Sequence, residues 1–426
     1  MVEKLPPAFV VRMRVRLGAE FSAFLEVLQA PPATTIRLHP LKGAFLFSES
    51  LRVPWCEWGR ILPERPAFEE EPFWHAGAYY VQEASGMSLE VFLPKKRPLR
   101  IIDLSAAPGG KSTLILGALG MEGGLLIAND PHPVRRQALK ENLERWGMPS
   151  YFITGRHPAY WAQRYPEQFD VVVLDAPCSG EGLWRKNPAA CSQWNPALPR
   201  RMQRMQRALL YAALRLVTPG GRLIYSTCTF APEENEENLA AVLPNQGWQP
   251  IRWESPPPEV RVVTYEGGGE GYYFYPHLGP GEGFFISAWE RPATSFRRTI
   301  GQLPRASPPY RLPEGILAVR HKETLYALTE CAHHLLPPNW ENEVSEGLPL
   351  LHYSRPAHAA ALMIGGMSRA FPQRELQPDE FIAYLRGQAF SPKDSIEWVT
   401  YQGLGVGWLY KGQPSLPLIW RRFRRS

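Results

Sequence analysis

Arg100-Ile101-Ile102-Asp103-Leu104-Ser105-Ala106-Ala107-Pro108-Gly109-Gly110-Lys111-Ser112 decides the fold of this 426-residue chain. A short apolar run enters a Gly-rich turn, and the turn opens a segment with helical spacing. Two further apolar runs each end near a cysteine: Phe169-Asp-Val-Val-Val-Leu-Asp175-Ala-Pro-Cys178-Ser-Gly180 and Gly221-Arg-Leu-Ile-Tyr-Ser-Thr-Cys228-Thr229. Strand and helix patterns alternate from Arg100 onward, the signature of a parallel α/β sheet. Five strands are expected, at Arg100–Leu104, Leu125–Asn129, Tyr151–Thr154, Val171–Leu174 and Arg222–Tyr225. Ligands bind just beyond the carboxyl ends of strands in such a sheet. The loop and both thiols should therefore face one cleft.

Outward from this core the texture changes twice. Residues 1–65 read as a small α+β unit: Phe21, Phe24, Leu25 and Leu28 follow helical spacing, Pro31-Pro32 ends the run, and Thr34–Leu38 reads as a strand. A Pro- and Glu-rich stretch then leads into the α/β domain, assigned to residues 66–293. Its last part, around Gly267–Gly269 and Gly279–Gly281, carries short aromatic strands that suit an antiparallel edge. Residues 294–309 read as a linker. Residues 310–426 form a β-rich region with one helix near Pro378–Leu385, strands at Gly405–Tyr410 and Leu416–Trp420, and a basic tail, Arg421–Arg425. Such a module suits nucleic acid.

Composition narrows the class of partner. The net charge is +6, and only ten of the 47 basic residues are lysine. Arginine stacks on bases and grips phosphate bidentately, which favours RNA. No apolar run approaches the roughly 18 residues of a membrane span, and Arg12, Arg14 and Arg16 interrupt the only candidate leader. A cytoplasmic monomer without a membrane anchor is expected. Five cysteines with no Cys-x-x-Cys pair fit neither a disulfide framework nor a zinc site, so no metal is expected.

The loop Ser105–Lys111 lacks both the Gly-x-Gly-x-x-Gly spacing and the phosphate-loop frame. Asp130, at the end of the second strand, stands where an acid receives ribose hydroxyls. A nucleoside without a pyrophosphate, such as S-adenosylmethionine, suits that pair. Asp175 reads either as a turn cap or as a group that bonds a base. Each of Cys178 and Cys228 alone would read as a buried small hydrophobe; Cys56 and Cys191 keep that reading. Two thiols at adjacent strand ends beside an aspartate point to covalent chemistry instead. Carbon 5 of a pyrimidine becomes nucleophilic once a thiolate adds to carbon 6, and a base must later remove the proton from carbon 5.

Asp175-Ala-Pro-Cys178-Ser-Gly-Glu-Gly182 with Ser226-Thr-Cys228-Thr and Pro232-Glu-Glu-Asn235 resembles the Nop/Sun family of RNA cytosine-5 methyltransferases. Ala107–Lys111, Gln82-Glu83-Ala84-Ser85, Pro276-His277 and Gly281–Phe285 match the same pattern, so the resemblance covers residues 80 to 290. It implies a Rossmann-like class I methyltransferase core. The terminal regions resemble the bacterial subgroup that methylates 16S ribosomal RNA and ends in a PUA-like domain, which implies 16S rRNA or the 30S subunit as partner. In this pattern Cys228 attacks the base to yield 5-methylcytidine, and Cys178 assists proton removal and release. Asp175 contacts the cytosine and the methionine end of the cofactor. Binding positions carry over to Ser105, Ala106, Ala107, Pro108, Gly109, Gly110, Lys111, Asp130 and Arg135. Two positions depart from the pattern: no carboxylate follows the third strand between Tyr151 and Tyr160, and Tyr273 stands where an arginine is common. The missing acid motivates a second expectation, an RNA-binding ribosome-assembly factor without catalysis; a tRNA or DNA methyltransferase is a third.

Overall fold

The computed structural model describes residues 5–417 except 245–246, 297, 344–345, 353–354 and 394. Helices α1 (Pro7–Leu17) and α2 (Phe21–Val27) precede strands β1 (Thr34–Leu38), β2 (Leu51–Val53) and β3 (Cys56–Leu62). A single helical turn, α3 (Pro72–His75), leads into β4 (Tyr79–Val81), and the four strands form an antiparallel sheet in the order β2-β3-β1-β4. β4 thus joins this sheet from beyond the stretch at which the sequence places the end of the N-terminal unit. The intervening loop stays on the sheet because Phe68 buries itself with Ile36 and Leu38.

The central layer follows as β5 (Leu99–Asp103), α4 (Gly110–Leu119), β6 (Gly124–Asn129), α5 (Pro133–Trp146), β7 (Tyr151–Thr154), α6 (Pro158–Arg164), β8 (Phe169–Asp175), α7 (Pro188–Gln193), α8 (Ala197–Leu216) and β9 (Val217–Thr227). All five strand regions expected from the apolar runs are present. Their order is β9-β8-β5-β6-β7, with every pair parallel. Every residue of β5, β6 and β7 is buried, as helices on both faces of a parallel sheet require. On α8, Leu209, Leu210, Ala213 and Leu214 face the core while Arg201 and Arg204 face water. The chain moves outward from β5 to β7 and then returns to the other side of β5. Strand order reverses between β5 and β8, and a crevice opens outside their carboxyl ends.

Both edges of this layer are extended. Strands β10 (Gln249–Ile251), β11 (Arg261–Tyr265), β12 (Gly269–Phe274) and β13 (Phe284–Glu290) add an antiparallel edge, β13 lying against β9. At the far edge, β14 (Arg305–Ala306), β15 (Ile316–His321), β16 (Thr324–Thr329) and β17 (Glu346–His352) continue the same sheet. β17 runs antiparallel to β7, pairing Glu346 with Ile153 and Gly347 with Phe152. The remaining C-terminal residues form a separate four-stranded sheet packed on a helix at Pro378–Leu385. The strand at Leu404–Tyr410 answers the expected one. Most of the run Leu416–Trp420 and the whole tail Arg421–Arg425 lie outside the described residues.

Buried cations pin the regions together. Lys42 donates to the carbonyls of Ala76 at 3.0 Å and Leu362 at 2.6 Å. Arg100, wholly buried at the start of β5, reaches the carbonyls of Leu335 at 2.6 Å and Leu336 at 3.0 Å. Arg37 bonds Gln82 at 2.8 Å and Thr113 at 2.6 Å. Arg37 of the N-terminal unit is thus engaged internally. No helix among the described residues is long and apolar enough to cross a membrane.

Candidate active site

β5 delivers its last residue, Asp103, into the interior, where Oδ2 accepts a hydrogen bond from Ser112 Oγ at 2.7 Å. Burial pushes this carboxyl up to about 6. The loop then turns through Gly109, whose φ of +115° strains any residue with a Cβ. Asp130, at the end of β6, accepts from the N–H groups of Ala107 at 3.3 Å and His132 at 2.9 Å. Arg135 donates to Ala107 O at 2.9 Å and lies 3.4 Å from Asp130. Asp130 is 1% exposed. Both residues brace the loop from beneath, and neither lines the cavity above it.

That cavity measures about 430 Å³. Ser105, Ala106, Ala107, Pro108, Gly110 and Lys111 form one wall; Asp175 and Cys228 stand in another, and Glu282–Phe284 close over them. Gly182 and Gly283 let these walls meet, since a Cβ on Gly182 would stand 2.2 Å from Gly283 O. Glu83 holds the closing segment by accepting from Glu282 N–H at 2.9 Å. Glu282 pairs one oxygen with Lys186 at 2.5 Å, while its Oε2 is buried without a hydrogen-bond partner among the described residues.

Three strand ends bring the predicted chemical groups together. Asp175 accepts from Lys111 Nζ at 2.7 Å and from Ser226 Oγ at 2.7 Å. Burial lowers the Lys111 pKa, but Asp175 together with Asp103 and Cys228 outweighs it, so the ammonium is held above its ordinary value. Cys178 Sγ and Cys228 Sγ are 3.2 Å apart. The hydrogen bond to Cys228, together with burial, pushes the Cys178 thiol well above its ordinary pKa. Cys178 therefore keeps its proton.

Two residues without an assigned role in the sequence bracket Cys178. Glu234 Oε2 accepts from Ser179 N–H at 2.9 Å and from Gln206 Nε2 at 2.8 Å. Gln206 also donates to Pro177 O at 2.9 Å. The backbone on each side of Cys178 is thus fixed by one linked pair. Burial pushes Glu234 up to about 7, and its Oε1 is buried without a hydrogen-bond partner among the described residues. Gln206 had a legible signal: it is a polar residue on the apolar face of α8, three and four positions before Leu209 and Leu210.

Both departures from the family pattern acquire a physical setting. The ring of Tyr273 carries the Arg16 guanidinium 4.4 Å above it, so a cation from α1 occupies this neighbourhood. Past β7, Arg156 lies 3.5 Å from Glu343, which also accepts from Tyr160 OH at 2.5 Å. A carboxylate does reach that strand end, from the C-terminal region.

Comparison with known proteins agrees with this geometry. The family described as 16S rRNA methyltransferase RsmB/F matches residues 91–290, and the N-terminal domain of 16S rRNA methyltransferase RsmF matches residues 5–84. The chain is 33% identical to ribosomal RNA small subunit methyltransferase F of Cronobacter sakazakii, over 72% of this chain and 66% of that one, so the matched stretch spans about two thirds of the relative. The match to the Klebsiella pneumoniae protein of the same name is 28% identical over 94% of this chain and 92% of that one. Among solved structures, a methyltransferase homolog protein from Pyrococcus horikoshii superposes with a TM-score of 0.55 at 26% identity, covering 67% of this chain and 100% of that one. NSun6 from the same organism, solved with SFG, has a TM-score of 0.59 at 21% identity and covers 68% of this chain and 99% of that one; it shows the same fold. With a parallel sheet, a Gly-rich loop and two juxtaposed thiols in place, the chain belongs to the RsmB/F family of 16S rRNA methyltransferases.

Proposed function

We propose that this chain transfers a methyl group from S-adenosylmethionine to carbon 5 of a cytosine in 16S ribosomal RNA. One observation carries the reading: two thiols 3.2 Å apart, one of which, Cys228, stands in the wall of a cavity also walled by the Gly-rich loop. The named relatives support the RNA class. The cavity suits the cofactor, because Gly110 presents bare backbone to it and Glu282 Oε2, without a hydrogen-bond partner among the described residues, can accept from an ammonium group. When bound, the cofactor supplies an electrophilic methyl group. Ser105–Lys111 would hold it, with Asp130 and Arg135 keeping the loop in place from beneath.

The target base must be unpaired or flipped to enter. Cys228 Sγ, as thiolate, bonds to carbon 6, and the electrons of the carbon 5–carbon 6 bond move into the ring. The Lys111 ammonium stabilises the negative charge that develops there, and the Asp175 carboxylate accepts from the exocyclic amine of the base. Carbon 5 takes the methyl group. Forming the Cys228–carbon 6 bond removes the hydrogen bond that kept Cys178 protonated; its thiol proton passes to solvent, and the resulting Cys178 thiolate takes the proton from carbon 5 once the methyl group is in place. The double bond re-forms and Cys228 leaves as thiolate. Incubation of 16S rRNA with labelled cofactor tests this sequence. Cys228→Ala should abolish 5-methylcytidine in nuclease digests, and Cys178→Ala should accumulate a slow-migrating protein–RNA adduct on a denaturing gel. Full activity of Cys228→Ala overturns the nucleophile; absence of the adduct overturns the release role.

A further inference from the structure

A second cavity of about 500 Å³ adjoins the first, with Tyr80, Val81 and Pro108 forming part of the wall of both. Two arginine–aromatic pairs line it. Arg145 lies 3.8 Å over the ring of Trp74, and Arg65 lies 5.2 Å over Phe68. A guanidinium over a ring can offer its other face to a base and its N–H edge to a phosphate; Arg145 spends one N–H on Asn142 Oδ1. The cavity floor is fixed, because Asn142 Nδ2 donates to Pro108 O at 2.7 Å. Glu69 also lines the cavity, a residue type whose carboxylate accepts from an exocyclic amine or a ribose hydroxyl. The methyl-transfer steps use Arg65, Trp74, Asn142 and Arg145 nowhere.

We propose that this second cavity receives the nucleotide adjoining the target cytosine in the RNA strand, its base against the Arg145–Trp74 stack and its phosphate on Arg65. The assignment rests on the methyltransferase reading above. A free anion would have no use for the aromatic faces, and a purely apolar ligand none for two guanidiniums. The shared wall sets the two cavities side by side, as consecutive nucleotides of a single strand require.

The test compares wild type with Arg65→Glu, Arg65→Lys and Arg145→Gln, using a 16S rRNA transcript. Arg65 is exposed, so its variants should keep the wild-type melting temperature. Arg65→Glu should weaken RNA binding about ten-fold and flatten the dependence of log Kd on log salt by about one, as loss of a phosphate contact does. Arg65→Lys should restore the salt slope, because it keeps the charge. KM for S-adenosylmethionine should not move in either. Unchanged RNA affinity in both Arg65→Glu and Arg145→Gln overturns the proposal. A rise in cofactor KM with unchanged RNA affinity overturns it too, by assigning the cavity to the cofactor. If wild type binds the transcript but yields no 5-methylcytidine, the methyltransferase reading fails, and the affinity comparison still decides the cavity.

Discussion

Glu234 keeps a carboxylate in the interior, with one oxygen held by Ser179 and Gln206 and the other unpartnered. Its ordinary pKa of 4.5 rises to about 7 on folding. Between those values the folded chain holds a proton that the unfolded chain has lost. Stability should therefore fall as pH rises through 4.5 to 7, with the full penalty of at most about 3 kcal/mol present above that window. Glu234→Gln cannot titrate and keeps an oxygen for Ser179. Its melting temperature should fall less than that of wild type between pH 5 and pH 8; parallel profiles would sink the idea. The two cysteines were legible because each follows an apolar strand at a fixed short distance. The Glu234–Gln206 bracket was not, since it depends on α8 packing beside the loop after β8, which local pattern does not encode.

At the scale of one element, α1 owes its place to a few side chains. Phe9 packs 4.6 Å from Trp184, Arg12 pairs with Glu181 at 2.6 Å, and Arg16 bonds Tyr275 OH at 2.7 Å and Glu236 at 2.9 Å. Arg16→Met would leave Glu236 facing two tyrosines without its cation. Breaking a largely buried pair in this way should cost about 3 kcal/mol. Arg14→Met, at an exposed position on the same helix, should cost less than about 1 kcal/mol. Urea denaturation of the two variants checks the ranking; equal midpoints would mean that α1 is held by its apolar face alone. The helix itself was foreseeable from Pro7 at its first position. Its target was not, because the surface it meets is built from residues more than 160 positions away.

Taken whole, the molecule is organised by one sheet that runs past the catalytic layer into the C-terminal region. A chain ending at residue 293 would retain every candidate site residue and the strands that carry them. It would also bare the edge of β7 and deprive Arg100 and Lys42 of carbonyl partners. Such an edge recruits other strands. The truncated protein should self-associate and melt well below the full chain by size-exclusion chromatography and thermal denaturation. A monomeric fragment with the full chain's melting temperature would contradict this. The parallel strands were readable because doubly covered strands are continuous apolar runs. The junction was not: two residue pairs make it, and neither Glu346 nor Gly347 advertises an edge partner nearly 200 positions upstream.

The β7–β17 junction also fixes a length. Successive strands stand about 4.8 Å apart, so β17 is held about 14 Å from β5 along the sheet. A backbone ladder, and not a free linker, joins the cleft to the C-terminal region at this seam. On the proposed function, an RNA substrate has to match that spacing. Under the proposed mechanism, discrimination between substrates would reside in which RNA surfaces can present an unpaired cytosine at that spacing, before any bond to Cys228 forms.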